Sequence, residues 1–473
     1  MPIVAEAHFS TLAGGSAVLN STGASRGSGI GTDVEMIAAN HRHIVVPDDE
    51  SRTTHKAMTR RVLNNAKNSS MFSVSSKSFS TTSSTGAGDD DGTDAMKDEY
   101  GTMDDSGETF VVDQFVLESG VVLPQAQLRY QTYGSLNEAC DNVVVVCHAL
   151  TGNASLHSWW GDLLGPHRAF DTEKFFVVCC NILGSCYGST SPTSINPATN
   201  EPYGIDFPDI SVQDTVRMQL LMLQQHLGVA SIKCVIGGSF GGMQALEFAV
   251  QGGSQDADFV DRHGRPFVRS VVPIACGAQH TAWQIAISEV QRQAIYKDAQ
   301  WKAGNHDKAT DGLQVARQLG MVSYRTPVGY CDKFGRNLQD RKSEGLEYGA
   351  AARWRVKSYL EYQGQKFLSR FDPVTYVKLT EQMDSHDVTR NRTDGSKDPH
   401  NALTSVLSAV EIPALVLGID SDVLYPLREQ EELASLLSNA QLKIIHSDDG
   451  HDGFLLEQEQ VGSHIMEFLQ QHE

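Results

Sequence analysis

Gly237-Gly238-Ser239-Phe240-Gly241 follows an apolar run, Ile232 to Ile236, and leads into a helical pattern, Gly242 to Val250. This is a strand, a sharp turn and a helix, the context of a Gly-x-Ser-x-Gly nucleophile elbow. Small residues two before and two after the serine let the backbone fold tightly and leave Oγ exposed. The helix N-terminus behind it presents free N–H groups where negative charge would develop. A glycine-rich turn without chemistry carries the same five letters, so the reading depends on partners elsewhere in the chain.

Those partners are expected downstream. Pro413 to Ile419 is an apolar run ending in Asp420-Ser421-Asp422, a carboxylate pair at the C-terminal end of a buried strand. Gln441 to Ile445 is another, ending in His446-Ser447-Asp448-Asp449-Gly450-His451-Asp452-Gly453-Phe454. The order Ser239, Asp422, His451 is that of an α/β-hydrolase and differs from the chymotrypsin and subtilisin orders. Asp420 and His446 are the competing choices. His451 is preferred because it follows a glycine in a loop past the strand end, from which an imidazole can reach the elbow.

The chain resembles the homoserine O-acetyltransferase family, an acyltransferase branch of the α/β-hydrolases. The resemblance rests on Cys147-His148-Ala149-Leu150-Thr151-Gly152, on Asn181 through Pro192 with Ser194-Ile195-Asn196-Pro197 and Tyr203-Gly204, and on Gly237 to Ala249. Further similar blocks are Gln291 to Ile295, Ala316 to Arg325, Ser358 to Phe371, Asp420 to Asp422 and Gly450 to Leu455, so that it spans about residues 108 to 470. It implies that Ser239 is the nucleophile, His451 the base and then acid, and Asp422 the orienting carboxylate. It implies an oxyanion hole from the backbone N–H groups of Leu150 and Phe240. It also implies that Arg317 and Tyr324, seven apart on one helix face, bind an amino-acid substrate together with Asp452. A surface arginine at 317 and a helix cap at 452 are the plain structural alternatives. Acetyl-CoA is implied as a co-substrate, with no tightly bound cofactor and no metal, and homoserine as the acceptor. Serine as acceptor, a succinyl donor and a simple hydrolase are the alternatives, since one methylene is worth only ~1–3 kcal/mol in a pocket. Homodimers are common in the family. Two departures stand out: Phe240 where relatives commonly carry methionine, and a polar insertion, Gln255 to Pro266, expected as a surface loop.

Composition bears on partners rather than on the active site. The formal charge of −20 disfavours nucleic acid as a partner. No stretch approaches the ~20 apolar residues of a membrane span. The eight cysteines, at 140, 147, 179, 180, 186, 234, 276 and 331, show no C-x-x-C pair and read mostly as buried reduced thiols. Cys186, in a glycine-serine loop, is the one candidate for reactivity. The cytoplasm is the expected location. Ser51 to Gly88 contains Arg52, Lys56, Arg60, Arg61, Lys67 and Lys77 with no Asp or Glu, which raises a mitochondrion or plastid as the alternative.

Four segments follow. Residues 1–107 are a Ser/Gly-rich tail expected to be disordered. Residues 108–279 alternate strand and helix patterns and read as the first part of an α/β core, a mostly parallel sheet with helices on both faces. Residues 280–404 hold helical patterns with Trp283, Trp301 and Trp354 and no buried parallel strand, and the resemblance implies that they form a helical cap. Residues 405–473 return to the core.

Overall fold

Val143-Val144-Val145-Val146-Cys147 is apolar at every position because the strand it forms is covered on both sides. Side chains alternate along a strand. Val143, Val145 and Cys147 enter one core layer, while Val144 and Val146 enter the other. The computed structural model describes residues 106–254, 259–339, 353–392 and 398–472. The tail to residue 105, with the Ser51–Gly88 stretch, lies outside the described residues.

Eight strands build the main sheet: β1 Glu108–Val116, β2 Val122–Tyr133, β3 Val143–Cys147, β4 Phe176–Cys180, β5 Ile232–Gly238, β6 Val271–Ile274, β7 Ala414–Ile419 and β8 Ala440–Ile445. Their spatial order is β1-β2-β4-β3-β5-β6-β7-β8. From β4 to β8 every neighbour is parallel, and β2 joins β4 antiparallel with β1 antiparallel outside it. The longer helices are α1 Val212–Leu221, α2 Phe240–Gly252, α3 Ala282–Tyr296, α4 Thr310–Ser323, α5 Pro327–Phe334, α6 Arg355–Phe367, α7 Pro373–Asp384, α8 Pro399–Ser408, α9 Leu427–Leu436 and α10 Gln458–Gln471. α1 and α2 pack into one layer through Val216, Leu220, Met243 and Leu246. α10 covers the opposite face with Val461, Ile465, Phe468 and Leu469, each worth about 1.5–3 kcal/mol of buried apolar surface.

Sequence signals set several helix starts. Ser211 and Asp214 close a reciprocal capping box on α1, and Asp372 accepts from Val374 N–H and Thr375 N–H just before Pro373 opens α7. Between β6 and β7 the described residues contain no main-sheet strand; they hold helices, a two-residue ladder of Leu338–Gln339 with Arg353–Trp354 and a single bridge between Gln279 and Asp387. The boundary expected at 404 falls inside α8.

The described part of the insertion is a surface loop at Arg262 to Arg265, pinned down by two buried residues. Residues 255–258 lie outside the described residues, but Phe259 is buried in the core and Asp261 is buried beside it. Asp261 accepts from the backbone N–H of His263 and Arg265 and from the guanidinium groups of Arg265 and Arg269. One aromatic and one cross-linked carboxylate hold a segment whose composition is otherwise polar.

Candidate active site

Ser239 sits between β5 and α2 with φ 59° and ψ −123°, a backbone conformation that an L-residue adopts only under constraint, at a cost on the order of 1–3 kcal/mol. The constraint is close packing. A Cβ on Gly237 would lie 2.3 Å from the Gly241 carbonyl oxygen, and one on Gly241 would lie 2.1 Å from that of Cys147. The turn can therefore press against the end of β3 only with glycine at both places. Ser239 N–H donates to Ile274 O at 2.9 Å, tying the elbow to β6.

His451 and Asp422 arrive from the loops after β8 and β7. His451 Nε2 lies 2.8 Å from Ser239 Oγ, and His451 Nδ1 lies 2.6 Å from Asp422 Oδ2. A carboxylate accepts, so Nδ1 carries the proton and Nε2 faces the serine hydroxyl as acceptor. The other oxygen of Asp422 accepts from Leu424 N–H and Tyr425 N–H, each at 2.8 Å, which fixes the carboxylate plane. His451 is only 3% exposed. Burial pulls its pKa down, but the charge and hydrogen bond of Asp422, with a smaller contribution from Asp452, outweigh burial and leave it raised. The ring of Tyr425 stacks on it at 5.0 Å, and Phe454 meets it edge-on at 5.5 Å. The competing pair is also formed but lies outside: His446 Nδ1 meets Asp420 Oδ2 at 2.7 Å, with the His446 side chain 76% exposed.

Phe240 is the first residue of α2, so its N–H has no carbonyl one turn back to bond. Leu150 is buried in the turn that follows β3. Gln244, one turn into α2, donates through Nε2 to His148 O and Phe240 O, each at 3.2 Å, so the helix and the turn share one buried amide.

The helices between β6 and β7 deliver Arg317 and Tyr324, and the His451 loop delivers Asp452. Arg317 on α4 is buried, with its guanidinium carbon 5.0 Å from the Phe367 ring centre. Tyr324, which ends α4, lies 6.0 Å from the His451 ring. Burial raises the Tyr324 hydroxyl, the Arg317 charge opposes that and Asp452 adds to it, which puts both charges within electrostatic reach of one phenol. Asp452 is buried, and its side chain makes no helix-capping bond. Its Oδ2 accepts from Arg325 Nε at 2.7 Å. The capping alternative thus gives way to a buried ion pair.

Three contributors escaped the sequence reading. Arg325 binds both Asp452 and Asp449, fastening the end of α4 to the His451 loop. Arg370 donates to Thr151 O at 2.9 Å and Tyr187 Oη at 3.1 Å, fastening the segment after α6 to the turn after β3. Tyr425 supplies the aromatic floor under His451. Arg325 and Arg370 stand inside the blocks quoted above, but their partners lie far away in sequence. Cys186, the cysteine singled out for reactivity, has its thiol pushed up to about 12 mainly by burial, which disfavours the reactive thiolate near neutral pH. Among the described residues no group of His, Cys, Asp and Glu could hold a metal, and no helix is long and apolar enough to cross a membrane.

A mostly parallel sheet carrying a strained serine elbow, with an imidazole and a carboxylate delivered after its last two strands, defines an α/β-hydrolase fold set up for acyl transfer. A family model described as alpha/beta hydrolase fold matches residues 142–458. Within that class, the chain is 45% identical over 346 residues to a homoserine O-acetyltransferase of Nostoc punctiforme, covering 72% of this chain and 90% of the relative. It is 46% identical over 353 residues to one of Salinibacter ruber, covering 74% and 94%. A crystal structure of homoserine O-acetyltransferase from Bacillus anthracis superposes with a TM-score of 0.65 at 25% identity, covering 76% of this chain and 96% of that one. An esterase, E22, superposes with a TM-score of 0.63 at 22% identity over 76% and 99%, which speaks to the fold alone. The chain belongs to the homoserine O-acetyltransferase family.

Proposed function

We propose that the protein transfers an acetyl group from acetyl-CoA to the side-chain hydroxyl of homoserine. The observation that carries this is the continuous relay Asp422–His451–Ser239, buried, with Arg317 and Tyr324 of one helix on one side and Asp452 of the His451 loop beside it. In the first half-reaction His451 takes the Ser239 proton as Oγ attacks the thioester carbonyl. The N–H groups of Phe240 and Leu150 stabilise the oxyanion, and the C–S bond breaks, with the proton passing from His451 to the CoA sulfur. In the second half-reaction His451 takes the proton of the homoserine hydroxyl, whose oxygen attacks the acetyl-serine. The ester leaves, and the proton returns to Ser239. Asp422 holds the imidazole in the required tautomer and stabilises its charged form throughout.

Homoserine is a zwitterion, and the three remaining residues suit it. Arg317, buried against Phe367, offers a planar fork to the carboxylate. Asp452, immediately after the catalytic histidine, is the ammonium partner, and Tyr324 lies between them. The helices between β6 and β7 serve as the cap that keeps water from the acetyl-serine.

The test is release of free CoA from acetyl-CoA by the full chain with homoserine, with serine and with neither. Release that is fast only with homoserine, and abolished in Ser239→Ala, is expected. Equal or faster release with serine moves the acceptor assignment, and fast release with neither makes the protein a thioester hydrolase.

A further inference from the structure

His148 is fully buried just past β3, and no step above uses it. Its Nδ1 lies 2.8 Å from Ala149 O. A carbonyl oxygen can only accept, so this contact requires the ring proton on Nδ1. Nε2 then accepts from Ile182 N–H at 3.2 Å, although Asn181 Oδ1, at 2.9 Å from the same nitrogen, competes for the proton. Burial lowers the ring's pKa to about 4, so near neutrality it carries one proton and must choose.

The choice matters because of where Ala149 O lies. That oxygen also accepts from Gly152 N–H at 3.0 Å. The Ala149–Leu150 peptide is planar and trans, so two donors on its oxygen fix the plane and aim its N–H the opposite way. That N–H belongs to Leu150. The preceding peptide is held as well, since His148 O accepts from Gln244 Nε2, which also holds Phe240 O at the start of α2.

We propose that His148 is a positioning residue for acyl transfer: its Nδ1–H locks the peptide plane that points the Leu150 N–H at the oxyanion, in fixed relation to the Phe240 N–H. The inference rests on the acyl-transfer reading of Ser239 and adds the group that sets the second donor's direction. Binding of acetyl-CoA in its ground state does not depend on that direction, whereas stabilisation of the tetrahedral intermediate does.

Two variants and one spectrum test it. His148→Leu removes the donor, and His148→Asn restores an N–H close to the Nδ1 position. Losing an oxyanion donor costs about 100-fold or more in turnover, so kcat for CoA release in His148→Leu should fall by about that factor, with KM for acetyl-CoA changed by no more than about twofold. The acid limb of the pH profile should stay in place, because His451 and Asp422 are untouched, and His148→Asn should recover most of the loss. Full kcat in His148→Leu, or equal losses in both variants matched by equal falls in unfolding midpoint, overturns the inference. Independently of turnover, nitrogen NMR of the full chain with labelled histidine should find His148 protonated at Nδ1, and a proton on Nε2 overturns it. If the wild type transfers acetyl to homoserine while His148→Leu is unaffected, this inference alone fails. If the wild type transfers nothing, the functional reading fails, and the spectrum still decides what His148 donates to.

Discussion

At the scale of single residues, Asp422 decides how His451 behaves. A buried imidazole without a partner resists charging, yet this one is raised because a carboxylate 2.6 Å away favours the charged form more than burial opposes it. The free base should therefore be lost at a pH above that of an ordinary histidine, and the acid limb of kcat/KM should sit correspondingly high. In Asp422→Asn the amide keeps the shape but removes the charge and disturbs the tautomer. Turnover should fall by about 10⁴-fold, and any residual limb should move to lower pH, because burial is then opposed only by the smaller contribution of Asp452. A residual activity within tenfold of wild type in a pH-rate series would show that Asp422 does not serve His451.

At the scale of elements, the elbow is a contact between backbones. β3 and α2 touch where Gly241 meets the Cys147 carbonyl, and the same approach brings the Leu150 turn beside the N-terminus of α2. Gly241→Ala places a carbon 2.1 Å from that oxygen, far inside contact distance, and backbone cannot yield as a flexible side chain would. The expected outcome is a loss of about 1–3 kcal/mol in urea unfolding, together with a collapse of kcat, because the two oxyanion donors are pushed apart. A soluble variant with wild-type kcat would refute this account of the turn.

Strands were the most legible elements. An all-apolar run such as Val143 to Val146 has no exposed face, and β2 buries Ala126, Leu128 and Tyr130 with a period of two. The anchors of the Gln255 to Pro266 insertion were not legible for a physical reason: a single Phe259 inserted into a core leaves no periodicity, and Asp261 is satisfied by arginines that composition counts as surface charge.

For the whole molecule, pH acts through buried histidines. His148 and His386 are both fully buried, and burial lowers each from 6.5 to about 4 in the folded chain. Between those values the unfolded chain binds protons that the folded chain refuses. The stability they contribute is therefore fully present above about 6.5 and is lost as pH falls toward about 4, on the order of 3 kcal/mol for each ring. His451, whose pKa is raised, works the other way and offsets part of the loss. The urea midpoint should fall steeply across that window, and a flat midpoint would mean that these rings are hydrated in solution.

The sequence by itself determined the strand–turn–helix at Ser239, the order nucleophile, acid, histidine and the α/β class, because each is written in a local pattern or in linear order. The triad candidates were reachable for the same reason: strand ends can be read, and functional side chains stand just beyond them. Chain order and resemblance pointed to Asp422, but the physical reason it differs from Asp420 is tertiary: one side of a tight turn is buried against Tyr425, the other faces out beside His446. The arginine ties of Arg325 and Arg370 needed the tertiary structure, since they join segments more than a hundred residues apart. The tautomer of His148 belongs to the same class, because it is set by a carbonyl next to it in sequence and an amide from another strand's end. A contact is fixed by where two segments meet in space, and a chain read in one dimension records only the residue types available to make it.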